Sequence, residues 1–344
     1  MGERLKLRES AYILKESDQV YTVVFTSSRM IRRFGVDQLV KDVISSLKET
    51  DSREDLMTRL SGYDVAQVNS CLLALEKFGL LIIDSGEHFN PRYKKQLDFI
   101  AEFSNTWEEA VNLQNKLEKS KVSVFGVGGI GTWIVNGLYQ IGIGNIRITD
   151  PDVVSESNLN RQLFFTSQDV GKHKVEVIKE KLHDAKIVPY RKTVAENEDL
   201  EELVAGSDFL VNCTDNPSVA DTTRILSRYA RRHNIPYLVS GGYNMHLGMV
   251  GPIIVPGQTA CFDCFLDHQK KNDSISHLEK IKDIEQTGSL GPIAGVVSNL
   301  QIMDIFKFLI GKGKVNFNRF AEINFMDFGV EWRDFAKRPE CDCS

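Results

Sequence analysis

Residues 121–150 read KVSVFGVGGIGTWIVNGLYQIGIGNIRITD, and this stretch decides the fold class. An apolar strand runs into a glycine-rich turn, a helix follows, and a second strand ends at Asp150. Gly126, Gly128 and Gly131 fit the spacing G-x-G-x-x-G, which permits a tight turn and lets backbone N–H groups approach a phosphate at the start of the helix. A carboxylate at the end of the next strand can bind ribose hydroxyls. The stretch predicts a nucleotide site, and by itself it fits NAD as well as ATP.

The alternation of strands and helices continues beyond this stretch. GKHKVEVIKEKLHD predicts a second helix, and further strands are predicted at IVPYRKTV, DFLVNCTD, PYLVSGGY and MVGPIIV. Alternation of this kind is typical of a mainly parallel sheet with helices on both faces. We therefore expect an α/β fold with a Rossmann-like nucleotide-binding domain.

Cations, amides and a carboxylate follow the predicted strands. Asn158, Arg161 and Lys174 lie in or just after the loop beyond the second strand, and Asp215 and Asn216 follow a later strand. Ligands bind at this edge of open α/β sheets. Hydride transfer needs no such density of cations, whereas fixed cations stabilise the negative charge that develops on a triphosphate. Asp215 is placed to hold Mg²⁺ through oxygen. The pattern favours ATP over NAD.

The motifs GVGGIG, DPD, SNLNRQ, VGKHKVE and NCTDN, in this order, resemble the ThiF/MoeB/E1 superfamily, whose members activate a carboxylate as an acyl-adenylate. The resemblance covers roughly residues 90–344. It implies that Gly129 and Asp150 hold the nucleotide, with Asp150 on the ribose, and that Asp215 binds Mg²⁺. It also implies ATP contacts from Ser157, Asn158, Leu159, Asn160, Arg161 and Lys174, the last two at the phosphates. The alternatives are solvated surface charges for Arg161 and Lys174 and a turn cap for Asp215.

A short basic segment precedes the nucleotide domain. Members of the superfamily carry a segment such as RYxRQ, whose second arginine reaches the ATP of the partner subunit, and this chain has Arg92-Tyr93-Lys94-Lys95-Gln96. The resemblance implies a homodimer in which Lys95 or Arg92 acts in trans. A lysine neutralises phosphate charge but lacks the planar fork of an arginine.

Six cysteines include two close pairs, Cys261 with Cys264 and Cys341 with Cys343. In a reducing compartment, two such pairs are typical of a four-cysteine structural zinc site, and free thiols or one disulfide are the alternatives. Residues 265–340 contain no cysteine, and we expect Cys71 and Cys213 to be packing residues. A thioester relay through a loop cysteine is therefore not predicted.

Composition excludes several classes of protein. The net charge of −5 argues against a nucleic-acid partner, and the charged start MGERLKLRES is no secretory signal. No apolar run approaches the ~20 residues that cross a bilayer. We expect a cytoplasmic enzyme without a membrane partner.

Residues 1–90 predict a separate α+β module. Two strands are predicted in AYILKESDQVYTVVFTS, three helices in GVDQLVKDVISSLKE, REDLMTRL and DVAQVNSCLLALEKFG, and a closing strand in LLIID. This order resembles a winged helix. The module carries 12 Lys and Arg against 14 Asp and Glu, which disfavours DNA binding. A dimerisation or solubility domain is the alternative to a binding module.

A module of 90 residues ahead of the nucleotide domain is an arrangement that resembles the peptide-maturing enzymes of microcin C and pantocin A biosynthesis. The resemblance implies that residues 1–90 bind the leader of a ribosomally made precursor peptide and that residues 91–344 adenylate one of its carboxylates, leading to cyclisation or nucleotide attachment. Binding by strand addition would use an exposed edge, for which YTVVFTS is the candidate, and residues 268–291 would form a lid. The alternatives are a sulfur-carrier-protein adenylyltransferase, an NAD-dependent oxidoreductase and a non-catalytic scaffold that presents a peptide.

Overall fold

The structure is a computed structural model that describes residues 4–48, 52–84, 86–104, 106–196, 198–240, 242–271, 278, 281 and 288–343. It divides into two compact units, Met1–Asn115 and Lys116–Ser344.

Two small antiparallel sheets belong to the first unit. Strands β1 (Arg4–Leu7) and β5 (Leu81–Asp84) pair with each other, and a three-stranded sheet has the order β2 (Ala11–Lys15), β3 (Val20–Phe25), β4 (Met30–Gly35). The two strands predicted around the polar turn after Lys15 are confirmed as β2 and β3.

The central strand of the three-stranded sheet is β3. The prediction of YTVVFTS as an edge strand is wrong, because β4 pairs along all of β3, from Val20 with Gly35 to Phe25 with Met30. The sequence of β4, MIRRFG, lacks the alternation that marks a strand, so the pairing was not foreseen. Over the described residues, β2 and β4 are the edges of this sheet.

The three predicted helices of the first unit are confirmed as α1 (Gln38–Leu47), α2 (Arg53–Arg59) and α3 (Val65–Phe78). The Asp64 carboxylate accepts hydrogen bonds from two N–H groups of the first turn of α3, and Gly79 ends the helix with a φ of 85°. The helices and sheets enclose one core, which includes Leu5, Val23, Phe25, Val43, Ile44, Leu56, Leu72, Leu75 and Leu81.

The first unit extends beyond residue 90, where the sequence predicts the domain boundary. It includes α4 (Lys94–Ile100) and most of α5 (Trp107–Lys119). The buried Arg8 guanidinium donates hydrogen bonds to the carbonyls of Gly79 (2.7 Å) and Ala101 (2.8 Å), and these bonds hold residues after α4 against the module.

A six-stranded sheet forms the centre of the second unit. Its strands are β6 (Lys121–Phe125), β7 (Asn145–Thr149), β8 (Ile187–Tyr190), β9 (Phe209–Asn212), β10 (Tyr237–Val239) and β13 (Ile253–Ile254). The order is β13–β10–β9–β6–β7–β8, and only β13 runs antiparallel to its neighbour. The predicted α/β fold with a mainly parallel sheet is confirmed.

Over the described residues, six helices accompany this sheet: α6 (Gly129–Gln140), α7 (Lys174–Lys181), α8 (Glu201–Val204), α9 (Val219–His233), α10 (Phe262–Lys271) and α11 (Gly291–Ile310). Helix α11 is long and apolar enough to cross a membrane by length and composition, a feature that the sequence analysis did not foresee. Its apolar window is 67% buried within the fold, as in a core helix. It packs closely on α6, since a Cβ on Gly137 would lie 2.0 Å from Ile302.

A second, antiparallel sheet was not predicted. Its order is β11 (Tyr243–Asn244), β12 (Leu247–Val250), β14 (Arg319–Asn324), β15 (Gly329–Asp334). The stretch MVGPIIV, predicted as one strand, divides between β12 in this sheet and β13 in the parallel one. The chain changes direction at Gly251, whose φ is 81°, so the two halves enter different sheets.

Candidate active site

A cavity of about 810 Å³ lies at the carboxyl edge of the parallel sheet. Each of the five parallel strands supplies residues to its wall: Gly126, Gly128 and Gly129 after β6, Asp150–Asp152 after β7, Lys192–Val194 after β8, Cys213–Asn216 after β9, and Ser240 and Tyr243 after β10. This position agrees with the general rule for ligand sites in open α/β sheets.

The glycine turn is shaped by close backbone contacts. Gly126 has a φ of 84°, and a Cβ there would lie 2.8 Å from the Cys213 carbonyl. A Cβ on Gly131 would lie 1.9 Å from the Gly126 oxygen, so this glycine lets α6 start against the strand, although it does not line the cavity. Gly128 precedes α6 and has no atom within 4 Å of its Cβ position. It leaves open space for a phosphate at the helix start.

The Asp150 carboxylate lies between the glycine turn and the cavity. It is 5% exposed, and its oxygens accept hydrogen bonds from the N–H groups of Val127 (2.8 Å) and Asp152 (2.9 Å). Asp150 therefore fixes the turn beside it, a role that the sequence analysis did not include. Its contact with ribose stays a prediction.

Lys174 is a buried cation and not a surface charge. Its side chain is 7% exposed, and its Nζ lies 2.8 Å from an Asp152 oxygen and 3.7 Å from an Asp150 oxygen. The alternative of a solvated lysine is therefore wrong. The amine reaches the cavity wall with its charge held in place by two carboxylates, and its contact with phosphate stays a prediction.

The segment 157–162 curls beside the glycine turn. The half-buried Arg161 guanidinium donates hydrogen bonds to the Ser157 carbonyl and to Asn160 Oδ1 (3.1 Å), and its aliphatic part lies 3.6 Å from the Cβ position of Gly129. Asn158, the last residue of the short helical turn Glu156–Asn158, accepts from the N–H of the N-cap residue Ser155 (3.1 Å). Ser157, Asn158, Asn160 and Arg161 line the cavity, whereas Leu159 does not.

The exposed carboxylate of Asp215 and the neighbouring Asn216 line the cavity after β9. Their turn is held by Asn212, whose Oδ1 accepts from the Thr214 N–H (3.1 Å) and Oγ1 (2.6 Å). Among the described residues no hydrogen bond to the Asp215 carboxylate is found, so Asp215 is not the cap of this turn. Asn212 has that role.

The sequence analysis missed further wall residues, among them Lys192, Gln162, Tyr243 and Ser289. Lys192 lay within a predicted strand, but β8 ends at Tyr190, which places Lys192 at the sheet edge. Gln162 is 5% exposed, and its Oε1 has no hydrogen-bond partner within the described part of the chain. The position of Gln162 in the motif SNLNRQ could have indicated that it belongs to the site. The hydroxyls of Tyr243 and Ser289 lie 3.1 Å apart on the wall.

Lys95 and Arg92 belong to the first unit. The Lys95 side chain is 89% exposed, and its Nζ lies 3.9 Å from an Asp98 oxygen. The Arg92 guanidinium carbon lies 5.9 Å from the centre of the Tyr93 ring. The trans role of either residue stays a prediction. Of the predicted lid, residues 272–277, 279–280 and 282–287 lie outside the described residues.

The four paired cysteines come together and could hold a metal ion. All four sulfur atoms lie within 4.8 Å of one another, and the separations include Cys261 with Cys341 (3.6 Å), Cys261 with Cys264 (3.7 Å) and Cys264 with Cys343 (4.0 Å). A zinc ion with four thiolates at about 2.3 Å needs sulfur–sulfur separations of about 3.8 Å. The donor set therefore fits a closed structural site.

The environment of the two remaining cysteines disfavours the thiolate form. Burial raises the pKa of the Cys213 thiol to about 12, although this residue lines the cavity, and burial raises the pKa of the Cys71 thiol to about 11. Both stay protonated near neutral pH, where only a thiolate would attack an adenylate.

Fold and site together define a nucleotide-binding α/β domain of the E1-like type, with a cation-lined cavity and a four-cysteine cluster. The model of the ThiF family matches residues 93–344, and the chain belongs to this family. The resemblance inferred from the sequence is thereby confirmed.

The relatives of the chain in sequence are named adenylyltransferases and activating enzymes. The chain is 29% identical to the SAMP-activating enzyme E1 of Haloferax volcanii over 232 residues, 66% of this chain and 81% of that protein. It is 27% identical to the sulfur carrier protein ThiS adenylyltransferase of Escherichia coli over 241 residues, 68% of this chain and 88% of that protein. The chain is an ATP-dependent adenylyltransferase of the ThiF/MoeB type, which excludes the oxidoreductase and the non-catalytic scaffold.

Solved structures resemble the chain along almost its whole length. E. coli MccB, solved with ATP, has a TM-score of 0.71 and 23% identity, and the match covers 99% of both chains. PaaA has a TM-score of 0.69 and 22% identity, over 95% of this chain and 99% of PaaA. MccB, a microcin C7 biosynthetic enzyme, has also been solved in complex with N-formylated MccA.

Proposed function

We propose that this adenylyltransferase activates a carboxylate of a ribosomally made precursor peptide whose leader is bound by the first unit. The observation that carries the proposal is the extent of the structural match. MccB matches 99% of the chain, whereas the ThiF family model begins only at residue 93. The first unit is therefore a feature shared with MccB, which binds MccA, and not a general feature of the family.

The chemistry follows from the order of the strand ends. If the ATP phosphates bind at the glycine turn after β6, the ribose lies beside Asp150 after β7. The carboxylate to be activated then approaches from the side of β9 and β10. An oxygen of that carboxylate attacks the α-phosphorus, the bond to the bridging oxygen breaks, and pyrophosphate leaves with the electron pair. Lys174 and Arg161 stabilise the charge on the phosphates. Mg²⁺, held by Asp215, would neutralise further phosphate charge.

The activated carbonyl is consumed without a thioester. Residues 265–340 contain no cysteine, and the raised pKa values of Cys71 and Cys213 keep both thiols protonated. A nitrogen nucleophile of the same peptide attacks the acyl-adenylate instead, and AMP leaves when the carbonyl is attacked. Attack at the carbonyl carbon expels AMP and gives a cyclised product. Attack at the phosphorus would instead expel the carboxylate and leave the nucleotide on the nitrogen, and in either case the nitrogen loses a proton.

The leader would bind by strand addition to the first unit. Since β3 is central, the available edge on the side of the β3–β4 hairpin is β4. An extended peptide beside β4 gains main-chain hydrogen bonds, and its alternate side chains can enter pockets of the unit. We further propose a homodimer with Lys95 or Arg92 acting in trans, and zinc at the four cysteines.

Sulfur-carrier activation is the second candidate function, favoured by the names of the sequence relatives. Pyrophosphate release distinguishes the two. The full chain is assayed with ATP and Mg²⁺ against synthetic peptides from short reading frames beside its gene, and against the ThiS-like proteins of the same genome.

We expect release with one peptide and none with the carriers. Asp215→Asn should lower the peptide-dependent rate by about 100-fold or more, whereas Asp221→Asn, an exposed carboxylate on α9 outside the cavity, should leave it unchanged. Release with a carrier protein and with no peptide would establish the second candidate instead.

A further inference from the structure

A second cavity, of about 550 Å³, lies entirely within the first unit. Its wall combines the end of β3 and the start of β4 with the carboxyl end of α3 and the turn after α4. The lining residues are Arg8, Phe25, Ser27, Ser28, Met30, Arg32, Glu76, Lys77, Phe78, Gly79, Glu102 and Ser104.

The edge strand β4 presents alternate residues to this cavity. Met30 and Arg32 line it, whereas Ile31 and Arg33, between and beyond them, do not. Residues of one strand alternate between the two faces of a sheet, so the cavity lies under one face of β4. A peptide strand that paired with β4 would send every second side chain to the same side.

One charged pair in the wall already has its partners. The Glu102 carboxylate accepts hydrogen bonds from the hydroxyls of Ser10 and Ser27, both at 2.6 Å, and from the Arg8 guanidinium at 3.2 Å. Arg8 also donates to the carbonyls of Gly79 and Ala101. These groups hold the wall together and leave little capacity for a ligand.

Arg32 is different, because among the described residues no carboxylate forms an ion pair with it. Its guanidinium carbon lies 5.7 Å from the ring centres of both Phe25 and Phe78, and Nη1 donates to the Phe78 carbonyl at 3.1 Å. No carboxylate lies within 4.0 Å of it in the part of the chain that the structure describes. The two rings fix the orientation of the guanidinium, so it is preorganised to receive an anion.

We propose that this cavity binds an acidic side chain of an extended peptide paired with β4, and that Arg32 is the residue that selects it. The proposal rests on the leader-binding role of the first unit and adds the chemistry of the leader: an aspartate or glutamate at one fixed position. The planar guanidinium suits a carboxylate because it offers two parallel N–H donors. A nucleic-acid phosphate is less compatible, since residues 1–90 carry 12 basic against 14 acidic side chains.

Binding can be tested without ATP and without the native precursor. A random dodecapeptide library displayed on mRNA is selected on the immobilised full chain, and the enriched peptides are sequenced. The wild type should enrich Asp or Glu at one position, and Arg32→Glu should shift that position to Lys or Arg. For one enriched peptide, the Kd from fluorescence anisotropy should rise about tenfold or more in Arg32→Gln.

Arg33→Gln is the matched control on the opposite face of the same strand, and it should bind the peptide as the wild type does. Replacing the acidic residue of the peptide by its amide should cost as much as Arg32→Gln, and the two changes together should cost no more than either one. The thermal midpoint of each variant shows whether it is folded.

The outcomes separate this inference from the proposed function. Peptides that are enriched without an acidic preference, or with one that survives Arg32→Glu, would overturn the role of Arg32 and leave leader binding intact. A library in which nothing is enriched would contradict leader binding itself. A 20-base-pair DNA duplex that binds the wild type as tightly as the peptide, and loses affinity in Arg32→Gln, would replace the peptide by a nucleic acid.

Discussion

Asp169 is the carboxylate that organises the segment between Arg161 and Lys174, the two cations proposed to contact phosphate. It accepts hydrogen bonds from the Thr166 N–H (2.9 Å) and hydroxyl (2.8 Å), and it forms ion pairs with Lys181 and Lys172. The hydrogen bond from Lys181 and those from Thr166 hold the pKa of this carboxyl well below its usual range. Asp169 thus fixes the loop that leads into α7, which begins with Lys174.

Asp169→Asn should therefore destabilise the protein in a pH-dependent way. A carboxyl whose pKa is lowered by folding stabilises the folded state at pH values above its unfolded pKa of about 3.9, and this contribution falls as the pH drops towards the folded value. We expect the variant to lose about 1–3 kcal/mol of unfolding free energy at pH 7 and clearly less at pH 3.

Urea unfolding at the two pH values measures the difference. Glu180→Gln, an exposed carboxylate on α7, serves as the control and should show no comparable loss at either pH. An equal loss for Asp169→Asn at both values would mean that its charge does not stabilise the loop.

At the scale of residues, the sequence predicts which side chains line the cavity, but it does not predict the hydrogen bonds and ion pairs that each of them forms. Gly126, Asp150, Arg161, Lys174 and Asp215 all line one cavity because parallel strands end at a common edge, and this rule can be applied to a sequence. The pairing of Lys174 with Asp152 depends on side-chain positions that only the folded chain defines, and so does the capping of the Asp215 turn by Asn212.

At the scale of elements, the glycine turn offers a matched pair of substitutions. Gly131→Ala places a Cβ 1.9 Å from the Gly126 oxygen, so the turn must open and α6 must move. Gly128→Ala meets no atom within 4 Å. We expect Gly131→Ala to cost about 3 kcal/mol or more in unfolding free energy, or to prevent folding.

Gly128→Ala should stay within about 1 kcal/mol of the wild type and raise the KM for ATP, because its methyl group would occupy the space proposed for a phosphate. Urea unfolding and pyrophosphate release with varied ATP measure the two effects. Equal stability of both alanine variants would contradict the tight turn at Gly131.

Helices were predicted more completely than strands. Helix α3 carries its own signals, since Asp64 caps its start and Gly79 ends it. The strands of the second sheet have no such local marks: Leu247 pairs with Asn324, far away in the sequence. The sequence analysis missed the edge strand β4 for the same reason: only its pairing with β3 identifies it as a strand.

The cysteine cluster connects elements that are distant along the chain. Cys343→Ser should abolish metal binding and lower the thermal midpoint, because a closed tetrahedral site needs all four thiolates. Cys71→Ala, at a buried cysteine of the first unit, should keep the metal. Elemental analysis by mass spectrometry should find one zinc per chain in the wild type and in Cys71→Ala. Wild-type protein without metal would contradict the site.

At the scale of the whole molecule, the proposed homodimer predicts complementation between inactive variants. If Lys95 acts on the ATP of the partner subunit, co-expressed Lys95→Ala and Asp215→Ala chains form heterodimers with one intact site. Random pairing should then restore about a quarter of the wild-type rate of pyrophosphate release.

The same experiment with Arg92→Ala decides between the two basic residues. The residue whose variant is inactive alone and regains activity in the mixture is the one that acts in trans. A mixture no more active than either variant would show that the site is completed within one chain.

The positions of the four cysteines also matter for the chain before it folds. Cys261 and Cys341 are 80 positions apart, and a metal ion held between them closes a loop that contains α11, β14 and β15. Closing a loop of this length lowers the conformational entropy of the unfolded chain. By the loop-entropy relation for disulfide cross-links, this raises the free energy of the unfolded chain by about 4 kcal/mol. Zinc that stayed bound to these sulfurs during unfolding would thus limit how far the denatured chain can expand, and would shorten the search by which α11 and its strands find each other again.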